Sequence, residues 1–223
     1  MTQPSNFENN FENNFELEKF LMLKYQIEAR GIKNSRVISA MQEIPRHLFV
    51  LDAFIEQAYG DFPLPIGESQ TISQPYIVAE MTQALNISQT DKILEIGTGS
   101  GYQAAILSKL ASQVFTIERI ESLFKKAQNI FKSLNYQNIF TKLGDGTIGW
   151  EEESPFDAII ITAGSPSIPQ ILIDQLKING RMIIPVGDQN SQSLIKIHKT
   201  EAGLEQINLG GCRFVKLIGQ YGW

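Results

Sequence analysis

Apolar positions in the first part of the chain recur at the spacing of helices. From residue 17 onward, five apolar side chains fall within reach of one helix face; they are Leu17, Phe20, Leu21, Leu23 and Ile27. Gly31 predicts the end of that helix, and a second helix is expected over residues 35–41. Residues 75–85 have the pattern of a third helix, with a proline in its first turn.

Two stretches of this part lack such a pattern. Residues 1–16 repeat the tetrapeptide Phe-Glu-Asn-Asn, and Asn-rich low-complexity sequence at a terminus is usually mobile. We therefore predict a mobile arm over residues 1–16. Residues 59–75 are interrupted by prolines and glycines and are expected to form a loop.

From residue 91 the pattern changes to short apolar runs that alternate with amphipathic stretches. The expected strands are residues 93–96, 114–117, 139–143, 158–162 and 181–186. The expected helices between them are residues 102–110, 122–134 and 168–176. Continuous apolar runs are typical of strands buried on both faces, as parallel strands between helices are.

The last part of the chain has strand-like segments without helices between them, over residues 193–200, 204–209 and 213–218. The whole pattern predicts an α/β fold with a doubly wound, mostly parallel sheet, antiparallel C-terminal edge strands and an N-terminal helical extension. We expect one domain over residues 17–223. In it, residues 17–90 form the helical extension and active-site loop, and residues 91–223 form the core and C-terminal strands.

Composition narrows the class of protein. The chain has 223 residues, a formal net charge of −5 and one cysteine, Cys212. An acidic chain without a basic face does not suit nucleic-acid phosphates, and one cysteine excludes an internal disulfide and a cysteine-rich metal site. The N-terminus lacks a basic stretch followed by an apolar one, and no apolar run approaches the ~20 residues of a membrane helix. We expect a soluble cytoplasmic protein that binds neither nucleic acid nor membrane.

The most informative motif follows the first strand of the alternating part. Gly97, Gly99 and Gly101 let the backbone turn sharply and approach a ligand closely. Glu95 precedes them, and a carboxylate there would repel the pyrophosphate of a dinucleotide. It suits a ligand with positive charge, and S-adenosylmethionine carries both a sulfonium and an ammonium. The turn therefore predicts this cofactor, with Glu95, Gly97 and Gly99 in its site.

Acidic residues at the ends of the next two strands support a cofactor site. Glu118 lies about 20 residues past the turn, where a carboxylate can accept hydrogen bonds from ribose hydroxyls. Asp145 stands between two glycines and can accept from an adenine amino group while the backbone of Gly146 approaches the ring. The ordinary alternatives are a surface acid for Glu118 and an Asp-Gly turn for Asp145. Their order at successive strand ends favours the cofactor site.

Several segments resemble the protein-L-isoaspartate O-methyltransferase family, and the resemblance covers residues 23–223. The matching segments are residues 30–32, 45–50, 66–78, 95–102 and 144–146. The glycine turn is shared with many methyltransferases, whereas the Thr-Ile-Ser-Gln-Pro sequence at residues 71–75 is specific to this family. The resemblance implies a Rossmann-like methyltransferase fold that uses S-adenosyl-L-methionine, releases S-adenosyl-L-homocysteine and needs no metal.

The resemblance also implies a role in protein repair. Enzymes of this family methylate the free α-carboxylate of L-isoaspartyl residues, and the ester then recloses to a succinimide. Ser73 is the implied catalytic residue, with its hydroxyl against the substrate carboxylate. Phe214 and Val215 belong to the segment whose backbone holds the substrate peptide in an extended form. The cofactor is lined by Thr71, Ile72, Ser73 and Gln74. The implied partners are isoaspartyl-containing proteins and peptides, and a monomer is expected.

The scarcity of bases in the chain agrees with a carboxylate nucleophile. A carboxyl group with a pKa near ~4 is ionised at neutral pH, so its attack on a sulfonium methyl needs no general base. The chain has two histidines. His198 shares the face of an alternating strand with Lys196 and is interpreted as solvated, and His47 is interpreted as structural.

One position departs from the family pattern. Where the family usually has Phe-Val-Pro-Leu, this chain has Lys216 in place of the proline. The change restores an amide donor and relaxes the backbone at the segment that is expected to bind peptide.

Two other functions are compatible with the same motifs. A methyltransferase of this fold could act on small-molecule carboxylates. A catalytically silent module could bind the cofactor and work through partners, although the intact Thr-Ile-Ser sequence at residues 71–73 argues against it. Acceptance of many unrelated isoaspartyl peptides would distinguish the repair enzyme from both.

Overall fold

The computed structural model describes the backbone of residues 6–223 and the side chains of residues 14–223. The α-helices of this part are α1 (Asn6–Leu21), α2 (Ser35–Glu43), α3 (Pro75–Leu85), α4 (Tyr102–Ser108), α5 (Glu121–Ser133) and α6 (Gln170–Asp174). The strands are β1 (Leu64–Gly67), β2 (Gln70–Ile72), β3 (Lys92–Ile96), β4 (Gln113–Glu118), β5 (Ile139–Leu143), β6 (Phe156–Ile161), β7 (Leu176–Gly187), β8 (Gln192–Thr200) and β9 (Gly203–Cys212).

The main sheet has seven strands in the order β5-β4-β3-β6-β7-β8-β9. Strands β5, β4, β3, β6 and β7 are parallel, and β8 and β9 continue the sheet in antiparallel pairs. The predicted doubly wound sheet with an antiparallel C-terminal edge is confirmed. Because β3 lies between β4 and β6, the winding reverses there, and such sheets bind ligands outside the carboxyl ends of the strands at that point.

The centre of the sheet is buried because helices and loops cover both of its faces. Successive side chains of a strand point to opposite faces, so Ile93 of β3 joins one apolar cluster and Leu94 joins the other. Both are fully buried, and burying one such side chain stabilises a fold by about 2 kcal/mol. The rigid centre therefore holds the ends of β3, β4 and β6 in fixed positions.

The prediction that all the alternating strands are buried on both faces is wrong for β5. Phe140 is 40% exposed and Leu143 is 44% exposed. The reason is that β5 lies at the free edge of the sheet, where no neighbouring strand covers its second side. Phe140 still stacks on Phe115 of β4, with ring centroids 4.8 Å apart.

The predicted apolar face of the first helix is interrupted. Leu23 and Ile27 are buried as expected. The other three apolar residues of the predicted face are at least 40% exposed; they are Leu17, Phe20 and Leu21. The cause is a π-helical turn over Met22–Ile27 that continues α1. A π-helical turn holds more residues than an α-helical turn and so rotates the face that follows it. No helix of residues 6–223 has the length and apolar character that crossing a membrane requires.

The first helix also begins earlier than the sequence predicts. It starts at Asn6 rather than at residue 17, so it includes most of the Asn-rich segment. Residues 1–5 lie outside the described residues. The mobility of the arm over residues 1–16 stays a prediction.

A hairpin replaces the loop that was predicted for residues 59–75. Strands β1 and β2 pair antiparallel, and the turn between them has positive φ at Glu68 (53°) and Ser69 (57°). Two residues with positive φ are typical of a type I′ hairpin turn. The usual Asn-Gly or Asp-Gly signal for this turn is absent, and the prolines nearby argue against strands. The hairpin was therefore missed.

The strand predicted for residues 213–218 does not form. Within this segment of the described chain, only Lys216 pairs with another segment, through a single parallel β-bridge to Gly164. The segment is held instead by side chains and by the C-terminal turn, where the Trp223 amide donates to the Leu217 carbonyl at 2.8 Å. Short-range apolar patterning does not distinguish such a tethered extended segment from a strand.

Candidate active site

A cavity of about 630 Å³ opens at the carboxyl ends of β3 and β4, the point where the winding of the sheet reverses. Its walls come from the glycine turn, from the β1–β2 hairpin with the loop into α3, and from the segment before the C-terminus. The predicted site residues that line it are Thr71, Ile72, Ser73, Gly97, Gly99, Glu118, Gly146, Phe214 and Val215. The fold therefore brings together segments that are far apart in the chain.

The glycine turn begins at the end of β3 with Gly97 at φ +98°. The amides of Gly97 and Thr98 both donate to the carbonyl of Ile117 on β4, at 2.9 and 3.2 Å. A Cβ on Gly97 would lie 2.4 Å from the Thr162 hydroxyl oxygen, so both the dihedral angle and the space require glycine. The turn is consequently fixed by the sheet and exposes bare backbone to the cavity.

Glu118 braces this turn from the end of β4. Its Oε2 accepts from the Gly99 amide at 2.9 Å, and its Oε1 accepts from the Ile120 amide at 2.9 Å. The side chain is buried, yet it lines the cavity. Each carboxylate oxygen has two lone pairs, so the carboxylate can hold the turn and still accept from a ligand hydroxyl.

Glu95 is not among the described residues that line the cavity, and its contact with the cofactor stays a prediction. The side chain is fully buried and accepts a hydrogen bond from the Thr116 hydroxyl. Its Oε1 has no hydrogen-bond partner among the described residues. Burial raises the pKa of Glu95 to about 8, although the Thr116 bond opposes the shift. A carboxyl in this position supports the strand below the turn through its hydrogen bond to Thr116.

Asp145 is also turned away from the cavity, whereas the neighbouring Gly146 lines it. Its Oδ1 accepts from the amide and hydroxyl of Thr147, and its Oδ2 accepts from the Gln220 amide at 2.8 Å. Partial burial raises its pKa, but these hydrogen bonds outweigh burial and hold the pKa below its ordinary value. In this structure the carboxylate ties the third strand end to the C-terminal turn, and its contact with an adenine amino group stays a prediction.

The hairpin and the loop after it supply the opposite wall. Thr71, Ile72 and Ser73 line the cavity as predicted, and Ser73 stands directly after β2. Gln74 does not line it, because its amide nitrogen donates to the carboxylate and carbonyl oxygens of Asp61 at 2.8 and 3.0 Å. Gln74 therefore anchors the loop that carries Ser73.

Arg46 fixes Ser73 from behind, a role that the sequence did not reveal. Its side chain is 0% exposed and donates to the carbonyls of Ser73 and Ala58, each at 2.7 Å. Its guanidinium lies 4.9 Å from the ring centroid of Tyr102, and burial lowers its pKa to about 10. The residue belongs to a segment that resembles the family, but nothing in its spacing indicates that it reaches a residue 27 positions away.

The third wall consists of Phe214, Val215 and their neighbours. The Val215 carbonyl accepts from the Gly164 amide at 2.7 Å. The Phe214 amide donates to the side-chain oxygen of Gln192 at 2.8 Å. Gln192 is 4% exposed, and it too was missed, because an isolated glutamine in a strand carries no sequence signal. Backbone contacts and one buried side chain thus hold the segment extended.

The charged groups around the cavity favour an anionic ligand. Among the described lining residues, the charged ones are Glu118, Arg119, Arg213 and Lys216. Sequence reasoning did not assign the two arginines to the site, although Arg119 directly follows a predicted site residue. Neither histidine is among the described residues that line the cavity. His47 shares a 2.8 Å hydrogen bond with Tyr59, and His198 lies 3.2 Å from Glu205.

Related proteins match almost the whole chain. The family model described as protein-L-isoaspartate(D-aspartate) O-methyltransferase (PCMT) matches residues 18–222. A protein-L-isoaspartate O-methyltransferase of Desulfosudis oleivorans is 61% identical over 202 residues, which cover 91% of each chain. One of Syntrophus aciditrophicus is 56% identical over 209 residues, which cover 92% of this chain and 96% of the relative.

Solved structures agree with these matches. A protein-L-isoaspartate O-methyltransferase superposes with a TM-score of 0.82 at 27% identity, and the match covers 93% of this chain and 67% of the other. A Plasmodium falciparum protein described as a member of the same family, solved with S-adenosyl-L-homocysteine, superposes with a TM-score of 0.78 at 26% identity. That match covers 91% of this chain and 99% of the other. The chain therefore belongs to the protein-L-isoaspartate(D-aspartate) O-methyltransferase family of S-adenosylmethionine-dependent repair enzymes, as the resemblance in its sequence implied.

Proposed function

We propose that this protein transfers a methyl group from S-adenosyl-L-methionine to the free α-carboxylate of L-isoaspartyl residues in damaged proteins and peptides. The observation that carries the proposal is the shared cavity. Ser73 and the segment with Phe214 and Val215 open onto the same space as the glycine turn. A carboxylate acceptor and a methyl donor could therefore meet there.

The residues of the cavity fit the cofactor. Its volume of about 630 Å³ lies within the range of roughly 300–1,000 Å³ that small-molecule sites occupy. Gly97 and Gly99 would cradle the ligand with bare backbone, and Glu118 has lone pairs free for the ribose hydroxyls. Thr71 and Ile72 would border the ligand from the hairpin. Gly146 borders the third side and must be a glycine to pack against Ile96, since a Cβ there would lie 2.5 Å from the Ile96 side chain.

The chain's own part in the reaction is to position and desolvate the acceptor. When bound, the sulfonium supplies an activated methyl group, which a carboxylate oxygen can attack as the carbon–sulfur bond breaks. Ser73 would donate its hydroxyl hydrogen bond to the second carboxylate oxygen, and Arg46 holds the backbone of Ser73 in place. Arg119, Arg213 and Lys216 attract the anion to the cavity. No general base is required, because the acceptor is already ionised at neutral pH.

The substrate peptide would lie along the C-terminal wall. Phe214 and Val215 are extended and fixed by Gln192 and Gly164. An extended edge can bind a peptide through main-chain hydrogen bonds, which tolerate many sequences. This binding mode suits an enzyme whose substrates share only an isoaspartyl linkage.

The experiment that tests the proposal is transfer of labelled methyl groups to an isoaspartyl peptide, with its ordinary aspartyl isomer as the control. We expect a base-labile methyl ester on the isoaspartyl peptide alone. Transfer to small carboxylates but not to peptides would favour a small-molecule enzyme. Cofactor binding without transfer to any acceptor would favour the silent module.

The remaining expectations extend this proposal to the cell. We propose a monomer that acts in the cytoplasm without a metal, a nucleic acid or a membrane as partner. We also propose one functional unit over residues 17–223, with residues 1–16 dispensable for catalysis. Size-exclusion chromatography with light scattering tests the monomer, and a chain that begins at residue 17 tests the arm.

A further inference from the structure

We propose that Lys216 makes this enzyme select isoaspartyl peptides that carry acidic residues next to the damaged site. The inference rests on the proposed function, because it concerns the peptide that the same cavity would accept. It assigns a substrate class to one residue of the C-terminal wall.

The backbone geometry at Lys216 is the first observation. Gly164 pairs with this segment in a parallel bridge, in which its amide donates to the Val215 carbonyl at 2.7 Å and its carbonyl accepts from the Leu217 amide at 2.8 Å. In a parallel bridge of this kind, the amide and carbonyl of the middle residue point away from the partner strand. The amide and carbonyl of Lys216 therefore face outward, and no second bridge to this residue occurs within residues 6–223.

This outward edge can pair with an extended peptide. The wall is kept straight on its inner side by Gly164 and by the buried side chain of Gln192, so the outer edge is ordered before a peptide arrives. Added strands bind through such unpaired amide and carbonyl groups. A proline at this position would have no amide to donate. Lys216 therefore adds a main-chain donor at a position where the family usually has proline.

The charge of Lys216 is the second observation. The side chain is exposed and lines the cavity. Arg213 lines the same wall, also exposed. The molecule as a whole carries a net charge of −5, so these cations oppose the overall field at the mouth of the site. A peptide with glutamate or aspartate beside the isoaspartyl residue would be attracted here, and a peptide with lysine there would be repelled.

The weakness and short range of interactions between exposed charges limit the expected preference for acidic peptides. Exposed charge pairs are weak and are screened over about 10 Å at 0.1 M salt. We therefore expect kcat/KM for a glutamate-flanked peptide to exceed that for a lysine-flanked peptide by about tenfold at low salt. At high salt the two values should approach each other.

The test compares three isoaspartyl peptides that are identical except for glutamate, glutamine or lysine on both sides of the isoaspartyl residue. Flanking both sides makes the result independent of the direction in which the peptide binds. Each peptide is assayed with the wild type and with Lys216→Gln, Lys216→Arg and Lys216→Pro. Lys132→Gln, an exposed lysine of α5 outside the cavity wall, is the matched control for net charge.

We expect Lys216→Gln to reduce the glutamate-to-lysine ratio of kcat/KM to about threefold, and Lys216→Arg and Lys132→Gln to preserve it. Lys216→Pro should lower kcat/KM for all three peptides about fivefold below Lys216→Gln, because the main-chain donor is lost as well. Thermal unfolding of each variant shows whether it is folded.

Four results would contradict the proposal at different points. An unchanged ratio in Lys216→Gln overturns the specificity role, whatever the proline variant does. Equal kcat/KM values for Lys216→Gln and Lys216→Pro would show that the main-chain amide of residue 216 does not bind the peptide. Activity of the wild type on all three peptides without preference overturns this inference alone, whereas no transfer to any peptide overturns the proposed function with it.

Discussion

The two sides of the cavity are built in different ways. The glycine turn is held by backbone hydrogen bonds from Gly97 and Thr98 to Ile117 of the neighbouring strand, and Glu118 closes it. The proposed substrate side consists of the hairpin loop and the C-terminal segment, which contribute no strand to the main sheet at this point. Two buried side chains, Arg46 and Gln192, hold those segments through backbone groups.

This difference predicts which property a substitution on each side of the cavity should change. Changes in the glycine turn should affect cofactor binding and the fold together, since the proposed cofactor site uses the same backbone that the sheet holds. Changes in the side chains behind the substrate wall should alter peptide kinetics and leave cofactor affinity intact. Each of the following substitutions tests one side of this comparison.

The largest effect is expected from Gly97→Ala on the cofactor side. The new methyl group would meet the Thr162 hydroxyl oxygen at 2.4 Å at a φ of +98°. We expect cofactor affinity to fall at least ~100-fold and the free energy of unfolding to fall by about 3 kcal/mol, as clash adds to strain. Calorimetric titration and urea unfolding measure the two quantities.

Gly31→Ala is the matched control for this variant. Gly31 has the same φ of +98°, but a Cβ there meets no atom within 4 Å. It should lose about 1 kcal/mol of stability and no cofactor affinity. Equal cofactor affinity in the two variants would contradict the structural account of the turn.

The second effect concerns pH and Glu95 on the cofactor side. Its pKa of about 8 in the fold exceeds the ordinary 4.5, so between these values the folded state keeps a proton that the unfolded state has lost. Stability therefore decreases as the pH rises through this window. Relative to Glu95→Gln, the wild type should lose about 2 kcal/mol between pH 5 and pH 7. Urea unfolding at several pH values measures the difference, and parallel pH profiles for the two proteins would show that Glu95 titrates normally.

The third effect moves to the substrate side, at Ser73. Removing a hydrogen bond to a charged group costs about 2 kcal/mol, so Ser73→Ala should lower kcat/KM for an isoaspartyl peptide by a few tens-fold. Cofactor affinity should remain unchanged. Ser133→Ala, an exposed serine of α5, serves as the control. Normal turnover in Ser73→Ala would remove the role proposed for its hydroxyl.

The smallest effect is expected from Gln192→Ala, which frees the Phe214 amide. Loss of one such hydrogen bond corresponds to about 1 kcal/mol, which predicts a KM for peptide about fivefold higher with little change in cofactor affinity. Gln206→Ala, on the exposed strand β9, is the control. If cofactor affinity fell as much as peptide affinity, the two walls would not be separable.

Local sequence was sufficient to predict the glycine turn and Glu118 because each directly ends a strand, and the two strands are neighbours in the sheet. Gly97, Gly99 and Glu118 stand at the ends of strands whose apolar runs identify them, and parallel strands bring their carboxyl ends to one edge. Glu95 and Asp145 are the two acidic residues predicted for this site that are not among the described lining residues of the cavity. Residue type and position suggested ligand contacts, but burial of Glu95 and the Gln220 contact of Asp145 depend on neighbours that local patterns do not specify.

By itself, the sequence determined the alternation of strands and helices from residue 91 to residue 209, the doubly wound sheet and, through its motifs, the family and the cofactor. It also predicted, by resemblance, that Ser73, Phe214 and Val215 belong to one site, and the three residues line one cavity. Only the tertiary structure decided how those parts are held. Arg46 reaches Ser73 across 27 positions and Gln192 reaches Phe214 across 22, and such contacts follow from the packing of whole segments. Hydrophobic periodicity records which face of an element is buried, but it does not record which distant backbone group a buried polar side chain will meet.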